Sequence, residues 1–344
     1  MTTGVGPAVD AWLAAHVPGI VPPLTFDLVS GGRSNLTYRV TDATGTVRAL
    51  RRPPTGGVLS TAHDMSREWR FLTALAPTGV PVPEPLAYCA DTSVSGAEFY
   101  VMDFVDGTVG ADRDAVADWP TDARRRAGTS LVEVLAALHR LDPAQVGLGD
   151  MARPRGYVER QLHRWQRQVH RSGAPDLDLL DTVHDALLAR VPEQASGIVH
   201  GDFRPGNLSF APDGTVVAVF DWELATLGDP LADLGWLVST WEQPGDTVPP
   251  TTAGPSAAQG FCTRAELVDA YAKASGLDVS PLPYYVAFSR WRSACIGAGV
   301  AARFAAGVMG ENELPVKELE RQVLRQSEAA YEAVRDLGRG GEAR

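Results

Sequence analysis

Residues 198–222 read IVHGDFRPGNLSFAPDGTVVAVFDW, two apolar runs separated by a Pro-Asp-Gly turn. Proline fixes its own φ and glycine accepts positive φ, so this stretch predicts a β-hairpin. Asn207 precedes the turn and Asp221 follows it. Because each strand residue advances the chain by about 3.3 Å, the two arms return to the same end of the hairpin. We therefore expect Asn207 and Asp221 to be neighbours.

The polar side chains around this end of the hairpin predict a metal site. Asn207 offers an amide oxygen and Asp221 a carboxylate, which are the hard ligands that hold Mg²⁺ beside phosphates. Asp202, in the loop before the hairpin, could face the metal and accept the proton of an attacking hydroxyl. The alternative is an ordinary hairpin with a polar loop. It would leave three polar groups clustered beside two buried strands without a reason.

Two further residues of this region are interpreted as structural. His200, between a valine and a glycine, is more typical of a satisfied structural histidine than of a catalyst. Asp233 lies early in a helical segment with apolar neighbours, where a carboxylate needs hydrogen-bond donors. We expect the backbone N–H groups of residues 200–204 to supply them, so that Asp233 braces the loop.

The first hundred residues have the pattern of an antiparallel sheet with one inserted helix. Alternating apolar runs and turn residues predict five strands, and helical spacing predicts a helix between the third and the fourth. The strands are Thr25–Ser30, Leu36–Thr41, Thr46–Arg52, Leu86–Cys89 and Glu98–Phe104, and the helix is His63–Leu75.

Beyond Gly107 long helical patterns dominate, interrupted by the hairpin. They are Asp122–Leu141, Gly156–Arg171, Asp176–Arg190, Arg264–Ser275, Pro283–Ala306 and Glu318–Leu337. The sequence therefore predicts an α+β protein with a small N-terminal lobe, residues 1–105, and a mainly helical C-terminal lobe, residues 106–344.

The third strand and the helix after it carry a candidate nucleotide site. Ala49 and Arg51 share one face of the strand, which suits a flat base lying on Ala49 and phosphates reaching Arg51. Glu68 falls in an apolar helical stripe, where an unpaired carboxylate would be costly, and Arg51 is its candidate partner. The alternative is a solvated Glu68 at the edge of the stripe. The only lysines are Lys273 and Lys317, so no lysine can bind phosphate in the small lobe.

The loop Gly31-Gly32-Arg33-Ser34-Asn35, between the first two strands, is similar to a turn that covers phosphates. We expect Ser34 and Asn35 to contribute to nucleotide binding there. The G-x-x-x-x-G-K-[ST] motif is absent, so a P-loop is excluded. No glycine fingerprint joins a strand to a helix, so a Rossmann site is not supported.

Composition excludes several classes of protein. The 344 residues contain 31 Lys and Arg against 42 Asp and Glu, a net charge of −11. This balance disfavours nucleic-acid and anionic membrane surfaces, which need a basic face. The three cysteines lie far apart without a C-x-x-C pair, so we expect reduced, buried thiols. With neither a signal peptide nor a membrane span indicated, we expect a cytoplasmic location.

His200-Gly201-Asp202-x-x-x-x-Asn207 with Asp221-Trp222-Glu223 resembles the aminoglycoside phosphotransferase family, a group of small-molecule kinases that includes choline kinase. The surrounding motifs are similar to the kinase-like module found fused to acyl-CoA dehydrogenases. The resemblance implies a two-lobed fold of the protein kinase type.

The resemblance also implies roles for individual residues. Asp202 would be the catalytic base, and Asn207 and Asp221 the Mg²⁺ ligands, with Glu223 as an additional aid to the metal. Arg51 stands where the family has its phosphate-binding lysine, with Glu68 as its partner. The Asp103 carbonyl and the Val105 N–H would meet the edge of the purine.

The implied activity is transfer of the γ-phosphoryl group of ATP or GTP, with Mg²⁺, to a hydroxyl of a small molecule. The acceptor could be a hydroxy acid or hydroxyacyl thioester, a sugar, a choline-like alcohol or an aminoglycoside. Because Arg51 replaces the lysine, a nucleotide-binding pseudokinase or ligand-binding module is the alternative.

Overall fold

A computed structural model describes residues 5–31, 35–54, 64–151, 156–248, 254–307 and 315–341. These residues form a small lobe built on a five-stranded sheet and a larger, mainly helical lobe. The predicted α+β architecture of two lobes is therefore confirmed. The exact division of the chain at residues 105 and 106 stays a prediction.

The strands of the small-lobe sheet are β1 Thr25–Gly31, β2 Leu36–Thr41, β3 Val47–Arg52, β4 Pro85–Cys89 and β5 Phe99–Asp103. The sheet is antiparallel throughout, in the order β1-β2-β3-β5-β4. Each predicted strand is present, with every bound identical to the prediction or different by one residue. The small lobe also contains the helices α1 Pro7–His16, α2 Met65–Leu75 and α3 Thr92–Ser95.

The two faces of the sheet have different neighbours, because successive strand residues point to opposite sides. On one face, Leu50 and Val101 pack in a buried cluster with Leu13 of α1, a helix that the sequence analysis did not predict. On the other, Ala49 and Tyr100 belong to the core that contains α2 and the helical lobe. This second face is the one turned toward the hairpin.

Helix α2 packs between the sheet and the large lobe. Asp64 caps its start by accepting a hydrogen bond of 3.0 Å from the Arg67 N–H. The helix buries Met65, Glu68, Phe71, Leu72 and Leu75, which lie at helical spacing on one side. The ring of Phe71 stacks on Trp222, immediately after Asp221, with centroids 6.3 Å apart. The helix therefore sets the distance between Glu68 and the hairpin.

The helices of the large lobe are α4 Thr121–His139, α5 Tyr157–Arg171, α6 Asp178–Leu188, α7 Leu231–Thr240, α8 Arg264–Ser275, α9 Leu282–Ala305 and α10 Val316–Gly341. Four of them, α5, α6, α7 and α10, pack on α9. The short strands are β6 Thr108–Val109, β7 Gly197–Val199, β8 Leu208–Phe210, β9 Val216–Val219 and β10 Thr226–Gly228.

Strands β8 and β9 form the predicted hairpin, with Leu208 opposite Val219. One residue further out, the Phe220 N–H donates to the Asn207 carbonyl at 2.8 Å. This register brings Asn207 and Asp221 to the same end of the hairpin.

The three cysteines, Cys89, Cys262 and Cys295, are free and buried, as predicted. Burial raises the pKa of each thiol, that of Cys262 to about 11. Within the described part of the chain, none of the helices is apolar over a length that would cross a membrane.

Candidate active site

A cleft of about 620 Å³ lies between the sheet and the hairpin. Ala49 and Arg51 of β3 line one side, and Asn207 and Asp221 line the other. The segment 103–107, which joins the lobes, closes one edge. The cleft therefore contacts both lobes and contains six of the nine predicted binding and metal-ligand residues: Ala49, Arg51, Asp103, Val105, Asn207 and Asp221.

Glu68 does not line the cleft but supports Arg51 from behind. It is fully buried, and its carboxylate accepts bonds from Arg51 Nε at 2.8 Å, Tyr100 Oη at 2.9 Å and Asn35 Nδ2 at 2.6 Å. These bonds exclude the solvated alternative for Glu68. Asn35 thus reaches Glu68 rather than facing the cleft, and Ser34 lies outside the described residues.

Arg51 is held between two carboxylates. Its Nε binds Glu68, and its Nη2 lies 2.5 Å from Asp221 Oδ1. Burial by itself would lower the pKa of Arg51, but Glu68, Tyr100 and Asp221 outweigh burial and raise it. Arg51 is therefore a permanent cation at the boundary between sheet and hairpin.

Asp221 has an unusual backbone, with φ of 64° and ψ of 60°. This left-handed region is disfavoured for residues with a Cβ, although aspartate tolerates it better than most. The conformation follows directly after Phe220, the residue whose N–H bonds to the Asn207 carbonyl.

The amide of Asn207 is oriented by Asp202. Its Nδ2 donates to the Asp202 backbone carbonyl and to Oδ2, both at 2.8 Å. Within the described residues the Asn207 side chain bonds through Nδ2, which leaves Oδ1 for a cation. With the Asp221 carboxylate, this donor set fits Mg²⁺, which takes oxygen ligands and few protein groups. The third acid of the region, Glu223, has a carboxylate oxygen within 4.8 Å of oxygens of Asp221 and Glu68.

Residues 200–207 form a loop, named here the Asp202 loop. Asp233 fixes this loop through hydrogen bonds to its backbone. The buried Asp233 carboxylate accepts the N–H groups of His200 at 2.7 Å and Gly201 at 2.8 Å. His200 is itself fully buried: its Nε2 donates to the Phe220 carbonyl at 2.8 Å, and its Nδ1 accepts from the Asp202 N–H at 3.2 Å. His200 therefore ties the loop to the hairpin, and Asp233 is the brace that the sequence predicts.

The segment between the lobes places Asp103 and Val105 at the cleft. The Asp103 N–H donates to the Glu84 carbonyl at 2.9 Å, and the Asp103 carboxylate lies 3.5 Å from Arg48 Nε. The Arg39 guanidinium lies over the ring of Phe104, 4.8 Å from its centroid. These contacts order the edge of the cleft where the resemblance places the purine.

Sequence reasoning missed two contacts of the Asp202 loop. The Trp236 indole N–H donates to Asp202 Oδ1 at 2.7 Å, and Arg292 Nη2 donates to the Gly201 carbonyl at 2.8 Å. The spacing of Trp236 from Asp233, three residues on one helix, was the available signal.

Comparison with known proteins finds matches over most of the chain. The family model described as the phosphotransferase enzyme family matches residues 25–281. Acyl-CoA dehydrogenase family member 11 of Rattus norvegicus is 34% identical over 312 residues, a match that covers 87% of this chain and 40% of the rat protein. The chain thus spans about 40% of the length of this curated relative.

Two solved structures have the same fold. A protein of Ralstonia eutropha JMP134 assigned as an aminoglycoside phosphotransferase is 32% identical, with a TM-score of 0.80 over 96% of this chain and 98% of that one. Amicoumacin kinase, solved with AMP-PNP and Ca²⁺, is 16% identical, with a TM-score of 0.60 over 96% of this chain and 94% of that one. The predicted family is confirmed: the chain belongs to the phosphotransferase enzyme family, whose model matches it across both lobes.

Proposed function

We propose that the protein transfers the γ-phosphoryl group of ATP or GTP to a hydroxyl of a small molecule. The observation that carries the proposal is that Arg51, Asn207 and Asp221 line one cleft. Glu68 and Asp221 both bind Arg51, and Asp202 binds Asn207. Family membership supports it, as does the nucleotide analogue in the structure of amicoumacin kinase.

Each residue of the site has a role in this proposal. Ala49 and the backbone of Asp103 and Val105 receive the base. Asn207 Oδ1 and Asp221 would hold Mg²⁺, which neutralises phosphate charge when bound. Asp202 accepts the proton of the acceptor hydroxyl. The hydroxyl oxygen attacks the γ-phosphorus, and the nucleoside diphosphate leaves. The protein contributes alignment and electrostatic stabilisation rather than covalent chemistry.

The acceptor region is expected beyond Asp202, on the side of α5 and α9. The aromatic and arginine side chains there, Trp165, Trp236 and Arg292 among them, lie close together. They favour an anionic or partly apolar acceptor, such as a hydroxy acid or hydroxyacyl thioester, because a polycationic aminoglycoside would call for clustered carboxylates. A sugar or a choline-like alcohol is the alternative acceptor.

A second function is favoured by one observation. The cation that should meet phosphate, Arg51, already binds Asp221, the candidate metal ligand, at 2.5 Å. If this contact persists with nucleotide present, the protein is a nucleotide-binding pseudokinase rather than an enzyme.

The test is a screen for Mg²⁺-dependent consumption of ATP and GTP across hydroxy acids, hydroxyacyl thioesters, sugars, choline-like alcohols and aminoglycosides. We expect turnover with one acceptor class, and loss of turnover in Asp202→Asn. Asp213→Asn is the matched control, because Asp213 is an exposed turn residue whose carboxylate accepts bonds from Thr215. Nucleotide binding without turnover on any acceptor would favour the pseudokinase.

A further inference from the structure

Trp236 holds one oxygen of the Asp202 carboxylate. The distance from its Nε1 to Asp202 Oδ1 is 2.7 Å, and only 5% of Trp236 is exposed. An N–H bond to an ionised carboxylate is stronger than one between neutral groups. Neither Trp236 nor Asp202 is among the described residues that line the cleft of Ala49, Arg51, Asn207 and Asp221, so the contact lies outside the expected nucleotide site.

The other oxygen of Asp202 is held separately. Oδ2 accepts from Asn207 Nδ2 at 2.8 Å and faces Arg204 Nε at 3.4 Å. A free carboxylate rotates easily about its terminal bond, because that torsion has broad minima. With Oδ1 held by Trp236 and Oδ2 by Asn207, the plane of the carboxylate is fixed.

Trp236 is in turn fixed by its neighbours. The Arg292 guanidinium, from α9, lies over the Trp236 ring at 4.3 Å and over the Trp165 ring at 5.3 Å. Arg292 also donates to the Gly201 carbonyl, immediately before Asp202. On α7, Trp236 is three residues after Asp233, so one helix holds both the backbone and the carboxylate of the loop.

We propose that Trp236 is a positioning residue, which aims the Asp202 carboxylate at the acceptor hydroxyl. The inference rests on the proposed phosphotransferase function. An unheld carboxylate would spend much of its time turned away from the hydroxyl, and catalysis depends steeply on such alignment.

The kinetic test compares two tryptophan variants. Trp236→Phe removes the N–H but keeps an aromatic ring for Arg292. Trp241→Phe is the matched control: the Trp241 indole, at the end of the same helix, is also buried, but it donates to the backbone carbonyl of Cys262 at 2.8 Å. We expect Trp236→Phe to lower kcat about 10- to 100-fold with the nucleotide KM unchanged. Trp241→Phe should lower only the thermal stability.

A second measurement does not need turnover. In ¹H–¹⁵N spectra, the Trp236 and Trp241 indole resonances are assigned as those lost in Trp236→Phe and in Trp241→Phe. In the spectrum of Asp202→Asn, the Trp236 resonance should shift and the Trp241 resonance should not. The proposal is overturned if the Trp236 resonance does not shift in Asp202→Asn. It is also overturned if Trp236→Phe keeps the wild-type kcat while Asp202→Asn is inactive. Absence of turnover in the wild type would instead count against the proposed function, and the resonance shift would still report whether Trp236 holds Asp202.

Discussion

Arg51 Nη2 lies 2.5 Å from Asp221 Oδ1, although the two residues are 170 positions apart. The contact joins the sheet of the small lobe to the hairpin of the large one. A lysine could make one such contact, whereas the planar guanidinium binds Glu68 through Nε and Asp221 through Nη2 at the same time.

Arg51→Ala should abolish most turnover and also destabilise the fold. It leaves the Glu68 carboxylate buried without its cation, which we expect to cost about 3 kcal/mol in urea unfolding. Arg51→Lys is the control, because it keeps the charge beside Glu68 but cannot bridge to Asp221. Equal turnover in wild type and Arg51→Ala would refute a role for Arg51 in phosphate binding.

Asp221→Asn should raise the Mg²⁺ concentration needed for half-maximal turnover by ~10-fold or more, because an amide is a weaker ligand than a carboxylate. Titration of Mg²⁺ at saturating nucleotide measures the effect. Asp213→Asn, at the far end of the same hairpin, should titrate like the wild type. An unchanged Mg²⁺ dependence in Asp221→Asn would remove Asp221 from the metal site.

Ala49→Leu should weaken nucleotide binding by ~10-fold or more, because the added atoms project into the cleft where the base is expected. Isothermal titration with a non-hydrolysable nucleotide measures the affinity. Leu50→Met is the matched control, since Leu50 points to the opposite face and packs with α1. Comparable affinity in both variants would place the base elsewhere.

Asp233→Ala should destabilise the protein by about 3 kcal/mol, since it leaves the N–H groups of His200 and Gly201 buried without an acceptor. The free energy of unfolding in urea measures this effect. Asp213→Ala, which removes a carboxylate from an exposed turn, should change the stability by less than about 1 kcal/mol. Similar losses in the two variants would mean that Asp233 does not brace the loop.

The cysteines should be unreactive in the folded protein. Burial raises the pKa of Cys262 to about 11. At pH 8 about 0.1% of such a thiol is ionised, and only the thiolate attacks an alkylating reagent. Mass spectrometry after brief iodoacetamide treatment should show no modification of the native protein and three modified cysteines after unfolding. Rapid native alkylation of Cys262 would contradict its burial.

Local patterns were sufficient to predict much of the fold. The Pro-Asp-Gly turn, the alternation in β1 to β5 and the helical spacing in α2 depend on a few consecutive residues, and each segment formed as predicted. Helix α1 was missed because ten residues beginning at Pro7 carry too little amphipathic signal before they pack on the sheet.

The sequence by itself determined that Asn207 and Asp221 would meet, because a tight turn fixes the register of the two strands between them. It also offered Arg51 as a partner for Glu68 but left a solvated Glu68 open. Only the packing of α2 against Trp222 decided that question, and it also brought Asp221 to the same guanidinium. The bond from Trp236 to Asp202 likewise depends on how α7 and α9 pack beneath the loop. Contacts between distant segments are set by the packing of whole elements, which the local sequence pattern does not specify.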